Sequence, residues 1–343
     1  MTLADAVRRQ FMPGACPGRV GAEVELIAVT DDRSPRPADP ALLAAEFDAG
    51  FVAAARPTFE PGGQLELSPP PRSTVAALID DVERLVDRAA RIAMKRGIRL
   101  EASGTNPYHS CADVPLCART PRYLAMQRLF DTVGPHGRRM MRLTASLQVA
   151  VELLPGRAGH EQWQVANLAG PALTAAFANS PHLDGRRVAF DSARTHIWHG
   201  VDLRRTGYDG RHLDPADPVG AYTAFATRAE RLPIAAAADP QYHLNTLFPP
   251  VRPRRGYLEV RYLDAQPIER IGEAIATVDA LVNDPTARRD ALDLLLPHAG
   301  DMERAWLAAA TGSAPHADDV LAIARAGMAR RLTAHDLSTV GGA

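Results

Sequence analysis

Lysine is almost missing from this chain: Lys95 is the only one in 343 residues, and every other long basic side chain is an arginine. That scarcity removes several routes to phosphate and carbonyl chemistry. A P-loop requires a Gly-Lys-Ser/Thr step, a protein kinase a strand lysine, and a pyridoxal phosphate enzyme a Schiff-base lysine. Lys95 falls in Ala93-Met94-Lys95-Arg96-Gly97, at the tail of a predicted amphipathic helix, where a cation serves the helix C-terminus. Phosphate chemistry here must rest on arginine and metal.

Cysteine is scarce as well. Cys16, Cys111 and Cys117 are too few and too irregular for a disulfide framework, and the Cys111-x5-Cys117 spacing has no second ligand pair to complete a zinc site. They read as buried or incidental thiols. An excess of either charge is also lacking: the formal net charge is −1, which leaves no electrostatic footprint for nucleic acid or an anionic membrane. No apolar run approaches the roughly 20 residues needed to span a bilayer. The opening Met1-Thr2-Leu3-Ala4-Asp5 has no charged region followed by an apolar one, so no secretory signal is expected. These absences predict a soluble, cytoplasmic protein that works on small molecules, with no nucleic-acid or membrane partner. No residue argues for a particular oligomeric state.

What is present is a chain that is 46% hydrophobic, enough for a full core. It is read as one catalytic domain, 1–343, with a helical C-terminal part from about 268. Residues 20–30 alternate carboxylates with apolar and β-branched residues and predict a strand. A helix is predicted from about Thr74 to Arg96, its stripe including Leu78, Ile79, Val82, Val86 and Ile92, with Gly97 as its stop. Residues 144–153 alternate again, followed by a helix over about 161–179, another over about 219–231, and a strand over 257–262. From Ile268 to about Arg331 the pattern is helical, with breaks at Asp284-Pro285 and at Pro297-His298-Ala299-Gly300. Strands with one apolar and one polar face predict an α+β fold, an antiparallel sheet packed by helices on one side and open to a ligand on the other.

The open face carries the chemistry. Glu23 and Glu25 at i, i+2 point the same way, roughly 6.5–7 Å apart along a strand. After the turn Glu60-Pro61-Gly62-Gly63, Gln64, Glu66 and Ser68 share one face, with Leu65 and Leu67 on the other. Glu259 and Arg261 repeat the pattern. A single glutamate on a strand face is ordinarily a solvated group or half of an ion pair. Five carboxylates on one side of a sheet repel unless a cation sits among them, and an all-oxygen set suits Mg²⁺, or Mn²⁺ in its place, together with nucleotide phosphates.

These segments resemble the plant-type glutamate–cysteine ligases, and most closely the actinobacterial branch that serves ergothioneine biosynthesis. The resemblance lies in Gly21-Ala22-Glu23-Val24-Glu25, in Phe59-Glu60-Pro61-Gly62-Gly63-Gln64-Leu65-Glu66-Leu67-Ser68, and in Thr144-Ala145-Ser146-Leu147-Gln148-Val149. It continues through Ala176–Pro181, Ser192–Trp198 and Leu247–Arg254 into Leu258–Asp264. It implies a glutamine-synthetase-like sheet forming an active-site funnel, ATP and Mg²⁺ as cofactors, and L-glutamate and L-cysteine as substrates. The γ-carboxylate would take a phosphoryl group from ATP, and an amine would displace phosphate from the acyl phosphate, giving γ-glutamylcysteine. By residue correspondence Glu23, Glu25, Glu60, Glu66, Gln148 and Glu259 form the metal shell. Arg261 meets the transferring phosphoryl group and Arg194 clamps a phosphate or carboxylate. Gln64, Thr144, Ser146, Arg122, Tyr123 and Trp198 line the substrate pocket, with Tyr108 nearby.

Two departures from the family bear on the acceptor. Between Arg231-Leu232-Pro233 and Tyr242-His243-Leu244 only Ile234–Gln241 remain of a usually longer segment, and Arg142 places a charge just before the Thr144 strand. They leave open an amide ligase of the same mechanism acting on other amino acids in a specialised pathway, and an inactive binding paralogue. A thiol-nucleophile reading, with Cys111 or Cys117 served by His109, His136 or His196, lacks an ordered partner in the sequence. His196 and His199 around Trp198 are better packing residues than metal ligands.

Overall fold

The computed structural model describes residues 1–50 and 57–340. Its axis is β1, Val20–Thr30. Strand alternation sends Val20, Ala22, Val24, Leu26 and Ala28 into the main core and turns Glu23 and Glu25 to the opposite face. The other strands are β2 (Thr58–Phe59), β3 (Leu65–Leu67), β4 (Ile98–Glu101), β5 (Ser146–Glu152), β6 (His182–Leu183), β7 (Arg186–Arg187), β8 (Val251–Arg254) and β9 (Tyr257–Asp264). Seven of them form one antiparallel sheet in the order β2-β3-β1-β5-β9-β8, with β4 paired to the far half of β1. β6 and β7 make a separate hairpin. This is the α+β architecture that the alternating strands predict.

Helices cover one face of that sheet. Val75–Met94 begins at Thr74, whose hydroxyl accepts from the Ala77 N–H at 3.2 Å, and Gly97 follows its end at φ +63°. It packs on β1, β3 and β4, while Ile268–Asn283 lies against β5, Gly156–Leu168 against β8 and Gly170–Ala176 against β9. Leu147, Val149, Val151, Leu258, Val260 and Tyr262 project into this layer and are fully buried. Burying one such side chain stabilises the fold by about 1.5–3 kcal/mol.

Three boundaries differ from the sequence pattern. The helix expected over 161–179 starts at Gly156 and is two helices, broken at Ala169. Pro171 has no N–H to continue the first helix and its ring conflicts with the carbonyl four residues back. The helix expected to reach 231 ends at Arg228. Beyond Ile268 the breaks at 284–285 and 297–300 occur as expected, and a further one separates Ala309 from Ala317, with Gly312 at φ +76° and His316 at φ +60°. The last helix runs Ala317–Val340; residues 341–343 of the expected helical part lie outside the described residues. No described helix is long and apolar enough to cross a membrane. Cys16 and Cys117 are exposed and Cys111 half-buried, all three as free thiols, so the first two are incidental surface groups.

Candidate active site

The acidic side of the site begins with a turn. The Gly63 N–H donates to the Glu60 carbonyl and the Glu60 N–H to the Gln64 carbonyl, both at 2.8 Å, and Gly63 takes φ +89°. A Cβ on Gly62 would collide with the Arg142 backbone. Gln64 locks this loop: its Oε1 accepts from the Gly62 N–H at 3.0 Å, and its Nε2 donates to the Thr144 carbonyl at 2.8 Å. The loop delivers Glu60 beside the β1–β3 ladder, where Glu25 lies directly opposite Glu66.

Like charges facing each other across a ladder destabilise it. Here Glu25, Glu60 and Glu66 each bring an oxygen within 4.8 Å of the others. Burial first, then the neighbouring Glu25 and Glu66, push the Glu60 carboxyl up to about 8. Burial, then Glu259 and Glu66, push Glu23 up to about 8, and burial drives Glu25 upward despite the Arg194 guanidinium. Carboxyls held this far above their ordinary range are those a divalent cation would return to the ionised form.

The basic side gathers around Glu259. Burial alone would raise its pKa, but Arg252, Arg261 and Arg254 pull it down to about 2. Their nitrogens stand 3.3 Å (Arg252), 3.1 Å (Arg261) and 3.5 Å (Arg254) from its oxygens. In this geometry Glu259 is a buried anion among three guanidiniums, apart from the carboxylate trio. Arg252 and Arg254 were not singled out from the sequence. Their signal was there: they sit at i, i+2 on β8, and Arg252 is in register with Glu259.

A bulge aims Arg261. Between the pairs Leu147↔Leu263 and Val149↔Val260, β9 carries one residue more than β5; such an insertion re-aims side chains beside functional sites. Arg261 NH1 donates to Gln148 Oε1 at 2.5 Å, and Gln148 Nε2 donates to Glu25 Oε1 at 2.9 Å. The Ser146 N–H donates to the other Glu25 oxygen at 2.7 Å. Arg194, only 2% exposed, donates to the Arg261 carbonyl at 2.7 Å and lies 5.5 Å from the centre of the Trp198 ring. Its Nε and NH1 are buried without a hydrogen-bond partner, as are the Nε atoms of Arg122, Arg252, Arg254 and Arg261. Buried guanidinium N–H groups left unpaired cost several kcal/mol in sum and suit an anionic ligand.

A third wall is apolar and comes from helices. Tyr123 and Met126 belong to Pro121–Asp131, Met140 and Met141 to His136–Leu143, and Trp198 to Ala193–His199; Phe248 stands edge-on to Trp198 at 5.8 Å. Thr144, between helix and strand, donates its hydroxyl to the Met140 carbonyl at 2.7 Å. The three walls enclose a cavity of about 280 Å³. It is lined by Glu23, Glu25, Glu60, Glu66, Gln148 and Glu259, by Arg194 and Arg261, and by Gln64, Arg122, Tyr123, Thr144, Ser146 and Trp198. A second cavity of about 420 Å³, floored by Gly21, Ala22 and Ala150, adjoins it through Glu23, Gln148 and Glu259.

Other sequence candidates lie elsewhere. Tyr108 is 39% exposed, with its hydroxyl donating to Glu101 at 2.8 Å and accepting from Arg99 at 2.9 Å. Arg142 does not charge the cavity: its guanidinium donates to the Cys111 and Val114 carbonyls and to Gln127. Burial pushes the Cys111 thiol up to about 11, opposite to what a nucleophile needs. His196 stacks on Phe190 at 4.2 Å and meets His136 edge-on at 5.2 Å, a packing arrangement.

Comparison with known proteins places these features in a context. A family model described as Glutamate-cysteine ligase family 2 matches residues 19–337. The chain is 33% identical to the glutamate–cysteine ligase EgtA of Mycolicibacterium smegmatis, over 84% of this chain and 74% of that protein. It is 35% identical to EgtA of Mycobacterium tuberculosis, over 69% of this chain and 62% of that protein. The chloroplastic glutamate–cysteine ligase of Arabidopsis thaliana is 29% identical over 80% of this chain and 60% of its own length. The chain thus spans between about three fifths and three quarters of these relatives. A solved glutamate–cysteine ligase from Francisella tularensis in complex with AMP overlaps 93% of this chain and 90% of its own at 12% identity and a TM-score of 0.49.

Proposed function

The chain belongs to the glutamate–cysteine ligase family 2, and we propose that it joins L-glutamate to L-cysteine at the expense of ATP, in the cytoplasm and toward ergothioneine biosynthesis. The observation that carries this reading is the cavity itself. It sets a trio of carboxylates within shared ligand reach beside buried guanidinium groups that keep N–H atoms free of hydrogen bonds. Such a site suits a phosphate-bearing substrate accompanied by a hard cation.

The donors fit Mg²⁺: Glu25, Glu60 and Glu66 offer only oxygen, and the raised pKa values of Glu25 and Glu60 record negative charge in want of a cation. Mg²⁺ held there would neutralise phosphate charge. Glu23, Gln148 and Glu259 are the other members that the resemblance assigns to the shell. In the structure Gln148 spaces Glu25 from Arg261, and Glu259 fixes Arg252, Arg254 and Arg261.

The reaction divides into two displacements. A γ-carboxylate oxygen of glutamate attacks the terminal phosphorus of ATP, the bond to ADP breaks, and an acyl phosphate forms. The amine nitrogen of the acceptor then attacks the acyl carbon, the carbon–oxygen bond to phosphate breaks, and the nitrogen loses a proton as phosphate leaves. Charge accumulates on the transferring oxygens in the first step, and Arg261 and Arg194 are the buried donors available to it. No side-chain nucleophile is needed. The second cavity, which shares Glu23, Gln148 and Glu259 with the first, offers room for the nucleoside end of ATP. The apolar helix wall excludes water from the acyl phosphate.

The test is phosphate release from ATP with Mg²⁺ and L-glutamate, with and without L-cysteine and across a panel of other amino acids. The expected result is cysteine-dependent release with a product of γ-glutamylcysteine mass. Release with a different pair alone would make the protein a specialised amide ligase of the same mechanism. No release with any pair would refute the ligase reading.

A further inference from the structure

Asn245 holds two cations of the cavity at once. It closes the short helix Pro240–Leu244, whose first two residues end the 234–241 connection. Its backbone carbonyl accepts from Arg122 NH2 at 2.7 Å, and its side-chain Oδ1 accepts from Arg254 NH1 at 2.7 Å. The two arginines come from elements far apart in the chain, the helix Pro121–Asp131 and strand β8, and both line the cavity.

The charge around this bridge is unbalanced. Among the described residues no carboxylate pairs with Arg122, and Arg254 shares the single carboxylate of Glu259 with Arg252 and Arg261. Arg122 also keeps a buried Nε–H without a hydrogen bond, and the Arg254 Nε reaches Glu259 only at 3.5 Å. Two guanidiniums drawn together on one neutral residue repel each other, and an anion placed between them would remove that cost. A carboxylate suits the pair, because guanidinium N–H groups meet its oxygens in a planar, often bidentate geometry.

We propose that Asn245 is a positioning residue that spaces Arg122 and Arg254 to clamp a carboxylate of an amino-acid substrate. This inference rests on the ligase reading of the cavity. It also gives the shortened connection a role. Arg231 donates to the carbonyls of Ala237 and Ala238, and Asp239 caps the following helix through the Gln241 and Tyr242 N–H groups. The connection is thereby pinned, and its length determines where Asn245 stands and how far apart the two cations are.

The experiment compares Asn245→Ala, Asn245→Asp, Arg254→Ala and the Asn245→Ala/Arg254→Ala double variant. Asn245→Ala removes Oδ1 and keeps the backbone carbonyl that holds Arg122; Asn245→Asp keeps an acceptor oxygen in place. Steady-state kinetics should show KM for one amino-acid substrate raised about tenfold in Asn245→Ala, the size expected for losing a hydrogen bond to a charged group. KM for ATP and the thermal midpoint should stay at the wild-type values, Asn245→Asp should raise the same amino-acid KM because its own carboxylate competes for the two guanidiniums, and the double variant should be no worse than Arg254→Ala. Unchanged amino-acid KM, additive losses in the double variant, or a fall in every parameter together with thermal stability would overturn the clamp. Calorimetric titration of wild type and Asn245→Ala with L-glutamate and with L-cysteine separates the two readings. Weaker binding of one amino acid to Asn245→Ala, with no ATP turnover in wild type, would refute the ligase reading and keep the clamp. Normal turnover with equal binding to both proteins would do the reverse.

Discussion

Gln148 donates to Glu25 at 2.9 Å while its own carbonyl oxygen accepts from Arg261 at 2.5 Å, so one amide sets the distance between the acidic trio and the Arg261 guanidinium. Replacing it with alanine leaves Glu25 with the Ser146 N–H and frees Arg261 to swing toward Glu259. Gln148→Ala should remain folded, lower ATP turnover at least tenfold, and raise the Mg²⁺ concentration needed for half-maximal rate. A Mg²⁺ titration of phosphate release checks this; an unchanged rate and midpoint would remove Gln148 from the site.

Glu66 faces Glu25 across the ladder and accepts from the Thr58 hydroxyl at 2.6 Å. Glu66→Gln keeps the shape, removes a charge from a crowded site, and relieves repulsion in the absence of metal. The expected outcome is loss of ATP turnover with thermal stability equal to or above wild type. Undiminished turnover would take Glu66 out of the metal shell.

Arg261→Ala should slow the chemical step more than it weakens nucleotide binding, because Arg194, Arg252 and Arg254 still face the cavity. Single-turnover phosphate release and a separate ATP-binding titration distinguish the two. A proportional loss of both would mean that Arg261 binds the ground state and contributes nothing particular to phosphoryl transfer.

How far the site was legible depended on the range of the interaction. Glu23 and Glu25, or Glu259 and Arg261, share a face by strand alternation alone, and their segments also resemble a family, so they were visible in the sequence. The convergence of Glu60 with Glu25 and Glu66 required the Gly62-Gly63 turn to pass close over the Arg142 backbone, a contact between segments some 80 residues apart. Arg252 and Arg254 escaped notice because their meaning lies in the β8–β9 register. The bulge at Arg261 breaks the simple alternation that predicted its strand. Met126, Met140, Met141 and Phe248 look like ordinary core residues in sequence, and only tertiary packing brings them to a cavity wall. Arg142 erred the other way: its position suggested an intrusion on the substrate, yet its guanidinium ties down the 111–114 loop.

Gly62 carries a prediction of its own. A methyl group there meets the Arg142 backbone, which cannot move aside as a side chain tip could. Gly62→Ala should destabilise the protein by about 1–3 kcal/mol, the usual cost of overpacking, and displace Glu60. Thermal unfolding and ATP turnover should fall together. A variant as stable and as active as wild type would contradict the close approach.

The last prediction concerns pH and a residue outside the cavity. His212 is fully buried beside Trp163 and Phe225, with Nε2 3.1 Å from Asn167 Oδ1. Burial holds its pKa down at about 3, against about 6.5 in an unfolded chain. Between those two values the unfolded state binds a proton that the folded state refuses. The contribution of His212 to stability is therefore intact above about 6.5 and lost as pH falls, at up to about 1.4 kcal/mol per pH unit. His212→Gln removes the titrating group while retaining a side-chain amide that can reach Asn167. Denaturant unfolding at pH 7 and pH 5 should show a smaller loss of stability in the variant than in wild type, even if the variant is less stable at pH 7. Equal losses would mean that His212 titrates normally in the folded protein and that its burial is less complete than the packing around it indicates.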